Sequence, residues 1–258
     1  MNKLVSGSAA RLRSFLFGGG LTCASCGADL FSEERFCERC LEKLPFNAGY
    51  ICEKCGRSIG EDYPVCLECK ADMPSYTEAR SAFRYEGDIV RLVKKFKTGS
   101  KYLADVFAEY MAPLVPAAFP DADFFAFVPM TERAEKRRGY TPSRLLAQAL
   151  SARSGVEAEE GVLVKTRETS SQKELSRKER AVNLKGSFRV HERSLCRGKS
   201  VVLVDDVLTT GATVSACARA LKGAGAKRVW AVTAASVPSQ EQPGVKKRLN
   251  YAQIVKIQ

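Results

Sequence analysis

Eight cysteines recur in this chain with a period of 29 residues: Cys23, Cys26, Cys37 and Cys40, then Cys52, Cys55, Cys66 and Cys69. Each copy reads C-x2-C-G-x9-C-x2-C. Two cysteines separated by two residues make a tight knuckle that presents both thiolates to one tetrahedral Zn2+, and Gly27 and Gly56 give the backbone the freedom such a turn needs. Two knuckles complete a site. The spacing leaves the pairing open: each repeat holds one ion, or the first and third pairs share one while the second and fourth share another. In either arrangement all four ligands are thiolates, so no position is left for a catalytic water and the one or two zinc ions are structural. A segment of about fifty residues buries too little apolar surface to fold by burial alone, so metal binding supplies much of its folding free energy.

Close cysteine pairs of this kind point to metal in a reducing compartment rather than to disulfides. The opening segment has Lys3, Arg11 and Arg13 ahead of a short apolar stretch broken by Gly18, Gly19 and Gly20. Without a cleavage motif it does not read as a signal peptide. No apolar run reaches the roughly 18 residues that a spanning helix needs. The expectation is a cytoplasmic protein with no membrane span, organised as a lead-in at 1–20, a zinc module at 21–74 and a larger domain at 75–258.

After Pro74 the pattern changes to alternating strands and helices. Ala79 to Tyr85, Phe124 to Val128, Gly161 to Lys165, Lys199 to Val204 and Arg228 to Ala235 read as strands. Asp88 to Lys97 places Ile89, Leu92, Val93 and Phe96 at helical spacing; Ser100 to Met111, Pro142 to Ser154 and Ala212 to Ala224 read as further helices. Strands separated by helices of this length imply a parallel sheet covered on both faces, so the class is α/β.

The stretch richest in chemistry is Val201-Val202-Leu203-Val204-Asp205-Asp206-Val207-Leu208-Thr209-Thr210-Gly211-Ala212-Thr213. Four apolar residues make a buried strand, and two carboxylates emerge at its carboxyl end, where open α/β sheets bind ligands. The threonine-rich turn that follows opens a helix, so backbone amides, small residues and hydroxyls converge where a phosphate fits. The lysine and glycine spacing of a Walker loop is absent.

These thirteen residues resemble the phosphoribosyl-diphosphate signature of type I phosphoribosyltransferases. By that resemblance Asp205 and Asp206 contact the ribose hydroxyls, and Thr209, Thr210, Gly211, Ala212 and Thr213 hold the 5′-phosphate. Further stretches narrow the likeness: Lys94-Lys95-Phe96-Lys97, Val128-Pro129-Met130-Thr131 with Arg137-Arg138-Gly139-Tyr140, and Gln172 to Phe188. Together with the cysteine repeat they resemble the ComF family, whose members join an N-terminal double zinc ribbon to a phosphoribosyltransferase domain. The likeness departs at Tyr140-Thr141-Pro142, where the family has Phe-Asn-Gln, so no role is carried to Thr141 or Pro142. It implies that Met130, Thr131 and Arg133 face pyrophosphate, that Mg2+ accompanies phosphoribosyl diphosphate, and that the protein acts in natural transformation. There it would handle single-stranded DNA at the cytoplasmic side beside other DNA-uptake proteins.

Charge bears on that second implication. Lysine and arginine total 41 against 29 acidic residues, a net of +12. Between Thr131 and Ser200 alone there are 17 basic and 9 acidic residues, a field suited to a polyanion or a phosphorylated small molecule. Gln172, Arg177 and Arg180 lie in a polar segment that can serve as a mobile lid over an anionic ligand or as contacts to single-stranded nucleic acid. His191 reads as a surface residue, Cys217 as a small core residue and Trp230 as packing. Two functions therefore stand side by side: phosphoribosyl transfer to an acceptor the residues do not name, and DNA handling.

Overall fold

The protein is described by a computed structural model over residues 22–60, 63–168, 184 and 186–239. It divides into two compact units, residues 1–44 and 45–258. In the first, an antiparallel bridge joins Thr22 to Asp29, a short helix α1 spans Glu38–Leu41, and Phe36, next to Cys37 in the chain, is buried.

The second unit begins with the second cysteine repeat, which carries helix α2 (Leu67–Ala71). Strand β1 (Ala79–Arg84) follows, then α3 (Gly87–Lys97), α4 (Leu103–Met111) and α5 (Leu114–Ala118). Ile89, Leu92, Val93 and Phe96 of α3 are all fully buried, as their spacing requires. Next come β2 (Phe124–Phe127), α6 (Glu132–Arg138), α7 (Pro142–Ser154), β3 (Glu157–Ala158) and β4 (Leu163–Lys165). The chain closes with β5 (Phe188–Val190), β6 (Ser200–Leu208), α8 (Ala212–Gly223) and β7 (Arg228–Ser236).

Five strands form a parallel sheet in the order β1-β7-β6-β2-β3, while β4 and β5 pair antiparallel in a separate two-stranded ribbon. The centre is apolar on both faces: Val201 to Val204 are each 0% exposed, each contributing about 1.5–3 kcal/mol of burial. Trp230 packs against Phe119 with ring centroids 5.5 Å apart, and Cys217 is buried in α8; both are core residues, and His191 is exposed. At the outer edge of β1, Arg84 N donates to Pro45 O and Asn47 N to Ala82 O, with an antiparallel bridge between Phe46 and Phe83. No helix among the described residues is long and apolar enough to cross a membrane.

One strand is longer than its apolar run indicates. β6 continues four residues beyond Val204, through the two aspartates to Leu208, because β7 pairs with it all the way: Asp205 faces Thr233 and Leu208 faces Ser236. Its other neighbour stops sooner, with β2 ending at Phe127 opposite Val204. The acid pair thus stands past the end of β2 while still held in register by β7.

Candidate functional site

The step at the end of β2 opens a cleft of about 340 Å3. Asp205, Asp206 and Thr213 line one side, Met130 and Thr131 another, and Lys97, Lys165, Arg137 and Arg138 bring cationic ends to it. The segment leaving β2 is fixed from below by Ser143 at the start of α7, whose hydroxyl donates to Val128 O at 2.6 Å. Thr131 then caps α6, its Oγ1 accepting from Ala134 N at 3.3 Å.

Asp206 is 8% exposed, and its Oδ1 lies 2.8 Å from Lys97 Nζ. Burial works to lower the Lys97 pKa, but the Asp206 carboxylate outweighs it and holds the ammonium above its ordinary value. Asp205 accepts from Asp206 N at 2.9 Å. Burial, reinforced by the neighbouring Asp206 charge, pushes its carboxyl up to about 7. Lys165 is pulled down by burial, with Asp205 among the charges that oppose the shift. Cations and carboxylates are therefore interleaved in a partly dry cleft, an arrangement that fits a ligand with both an anionic group and hydroxyls.

Beyond β6 the turn passes Thr209 and Thr210 to Gly211, which caps α8 with φ +77°. A side chain there would be strained, and a Cβ would lie 2.9 Å from Tyr76 Oη. Thr213 shares the cleft with the acid pair. Thr210, Gly211 and Ala212 instead line a smaller cavity of about 70 Å3 with Asp72, Ser215 and Arg219, none of which lines the main cleft, and Thr209 is exposed. Arg133 sits in α6 and lines a third, wider cavity of about 560 Å3 that shares Thr131, Lys165 and Glu168 with the first. Its guanidinium is 3.9 Å from Glu168. Gln172, Arg177 and Arg180 lie outside the described residues.

The residue patterns alone did not single out Lys97, Lys165 or Arg57 as site residues. Tyr140, also without an assigned role, donates its hydroxyl to Phe96 O and accepts from Gly99 N at 3.0 Å, tying the start of α7 to the end of α3.

The cysteines gather into two clusters, Cys23/Cys26/Cys37/Cys40 and Cys52/Cys55/Cys66/Cys69, with the Sγ atoms of each within 4.8 Å of one another. Each repeat therefore forms its own site, which resolves the pairing. Cys26 and Cys37 sulfurs are 3.7 Å apart and those of Cys55 and Cys66 3.8 Å. A tetrahedron with Zn–S bonds of 2.3 Å has edges of about 3.8 Å, whereas a disulfide needs about 2.0 Å. The donor sets fit zinc.

Residues 136–258 match the family described as phosphoribosyl transferase domain, and residues 15–70 that described as double zinc ribbon domain. The chain is thus of the class that couples a phosphoribosyltransferase-type domain to paired zinc ribbons. DNA utilization protein YhgH of Escherichia coli (strain K12) is 39% identical over 110 residues, 42% of this chain and 48% of that protein; the chain spans about half the length of these curated relatives. Competence protein F of Haemophilus influenzae is 26% identical over 246 residues, covering 91% of each chain. Both parts are present in this order, and the likeness to Competence protein F runs along nearly the whole chain. Among solved structures, glutamine phosphoribosylpyrophosphate amidotransferase from B. subtilis aligns with TM-score 0.35 at 23% identity, over 54% of this chain and 26% of that one.

Proposed function

We propose that the cleft binds phosphoribosyl diphosphate and that the protein serves natural transformation by handling single-stranded DNA at the cytoplasmic side. In this reading Asp205 and Asp206 accept the ribose hydroxyls, Thr209, Thr210, Gly211, Ala212 and Thr213 hold the 5′-phosphate at the start of α8, and Met130, Thr131 and Arg133 face the pyrophosphate. The observation that carries it is the single cleft shared by Met130, Thr131, Asp205, Asp206 and Thr213. Carboxylate oxygens from Asp205 and Asp206 suit a hard cation, and Mg2+, when bound with the ligand, would offset charge on the departing pyrophosphate. The chain's own part is to orient the sugar through the acid pair and to bring Lys97 and Lys165 toward the anionic end. Binding rests on residues in the cleft; the acceptor of any transfer is not written in them.

The DNA role is supported by the names of the relatives and by the net charge of +12. Calorimetry with phosphoribosyl diphosphate and Mg2+ tests the site: Asp205→Ala with Asp206→Ala should abolish binding while zinc content stays unchanged, and unaltered binding removes the assignment. A salt titration tests the second part. Contacts to several phosphates give an affinity for single strands that falls steeply with salt. Negligible binding at physiological ionic strength would favour instead a phosphoribosyltransferase of nucleobase or nucleotide metabolism with no DNA role.

A further inference from the structure

Arg57 stands two residues after Cys55, which ends the first knuckle of the second repeat, and its side chain is only 6% exposed. A buried guanidinium needs counter-charge and acceptors for a rigid fork of donors. The cysteine cluster supplies both: Nε donates to Cys55 Sγ at 3.3 Å and Nη2 to Cys66 Sγ at 3.7 Å. Four thiolates carry more negative charge than one Zn2+ neutralises, so a cation beside them is favoured when the metal is in place. The remaining arm of the fork points elsewhere. Nη1 lies 3.5 Å from Glu68 Oε1 and donates to the carbonyl oxygen of Thr209 at 3.4 Å.

Thr209 is where the chain leaves β6 and the turn to α8 begins. The same turn has a second contact with the region of the cysteines. Tyr76 is fully buried, its hydroxyl finds no hydrogen-bond partner among the described residues, and a Cβ on Gly211 would press within 2.9 Å of that oxygen. Tyr76 and the four cysteines share one buried core with Leu208 and Val214, which flank the turn. The cluster and the turn are thus two faces of one packed region, linked by a guanidinium that touches both.

We infer that Arg57 is a positioning residue through which the second zinc centre sets the conformation of the ligand-holding turn. The inference rests on the reading of that turn as the 5′-phosphate site. It gives this zinc ribbon a role in ligand affinity beyond supporting its own fold. Because coupling between two sites is reciprocal, ligand on the turn must tighten equilibrium zinc binding at this centre by the factor by which zinc at this centre tightens the ligand. Lysine cannot reproduce the link: it is a point charge without the fork that reaches thiolate and carbonyl together.

The test uses the full-length, zinc-loaded protein and its Arg57→Lys and Arg57→Gln variants. Zinc affinity is measured by equilibrium competition with a chromogenic chelator, with and without saturating phosphoribosyl diphosphate and Mg2+, and ligand affinity is measured by calorimetry. In the wild type the ligand should tighten zinc binding at one of the two centres about tenfold, the scale of one charge-assisted hydrogen bond. Arg57→Lys should keep two zinc ions per chain and its melting transition, yet bind the ligand about tenfold more weakly and lose the ligand effect on zinc affinity. A lysine variant with wild-type affinity and an intact ligand effect would overturn the inference. Should Arg57→Gln fail to retain zinc, the wild type decides alone: a protein that binds the ligand without any change in zinc affinity overturns the inference but leaves the site reading standing. A wild type that binds no phosphoribosyl diphosphate sinks the site reading and this inference together.

Discussion

Lys97 Nζ and Asp206 Oδ1 are 2.8 Å apart, an ion pair that joins the last turn of α3 to the carboxyl end of β6. The aspartate side chain is 12% exposed and the lysine 35%, so the pair straddles the boundary between core and cleft. It leaves one carboxylate of the acid pair already matched to a cation and the other, Asp205, without so close a counter-charge.

Replacing Lys97 by Met strands the Asp206 carboxylate in a site with little water. Because the lysine is itself partly solvated, the loss should be below that of a fully buried pair, about 2 kcal/mol, seen as a fall of roughly 5 °C in the melting temperature. Adding Asp206→Asn should recover most of it. A single variant that melts with the wild type would show that water already satisfies Asp206.

Asp205 gives a pH signature. Its folded-state value of about 7 lies above the roughly 3.9 of an unfolded chain, so the unfolded state releases the proton first and wild-type stability declines as pH rises between those values. Asp205→Asn should therefore stabilise the protein most at pH 7 and above. The advantage should shrink as pH falls toward 4, and chemical denaturation at several pH values would read it. An advantage independent of pH would argue that Asp205 is ionised throughout.

Gly211→Ala combines a left-handed backbone with a contact against buried Tyr76. We expect a loss of about 2 kcal/mol in stability and more than tenfold in phosphoribosyl diphosphate affinity. Unchanged affinity with lowered stability would separate the turn from the ligand.

Metal content should be two zinc ions per chain by atomic emission. Cys52, Cys55, Cys66 and Cys69 share a core with strands of the large sheet, so stripping the metal should lower the melting transition of the larger unit as well as loosen the first ribbon. A main transition that stays in place after complete zinc removal would count against that continuity.

What could be read in advance follows the physics of each signal. Val201 to Val204 announced a buried parallel strand, and the α3 stripe of Ile89, Leu92, Val93 and Phe96 announced its face, because burial acts on the residues that carry the pattern. α6 went unread: Glu132-Arg133-Ala134-Glu135-Lys136-Arg137-Arg138 has no apolar stripe, and only Thr131 at its start and Gly139 (φ +81°) at its end mark it. Those two caps were the available signal. The cysteine spacing announced zinc but left the pairing open, since a local repeat does not say which knuckles meet. Asp205 and Asp206 stood out as adjacent acids on a strand, whereas Lys97 and Arg57 owe their positions to partners on distant segments, Asp206 and Thr209, and no local pattern encodes such a meeting.

The segment at residues 45–47 covers the free rim of β1 through Arg84 N to Pro45 O and Asn47 N to Ala82 O, and the opposite rim of the sheet is a strand only two residues long, Glu157–Ala158. Neither border leaves a long row of open backbone groups for another chain to extend. Self-association by strand addition is disfavoured at both rims of this five-stranded sheet.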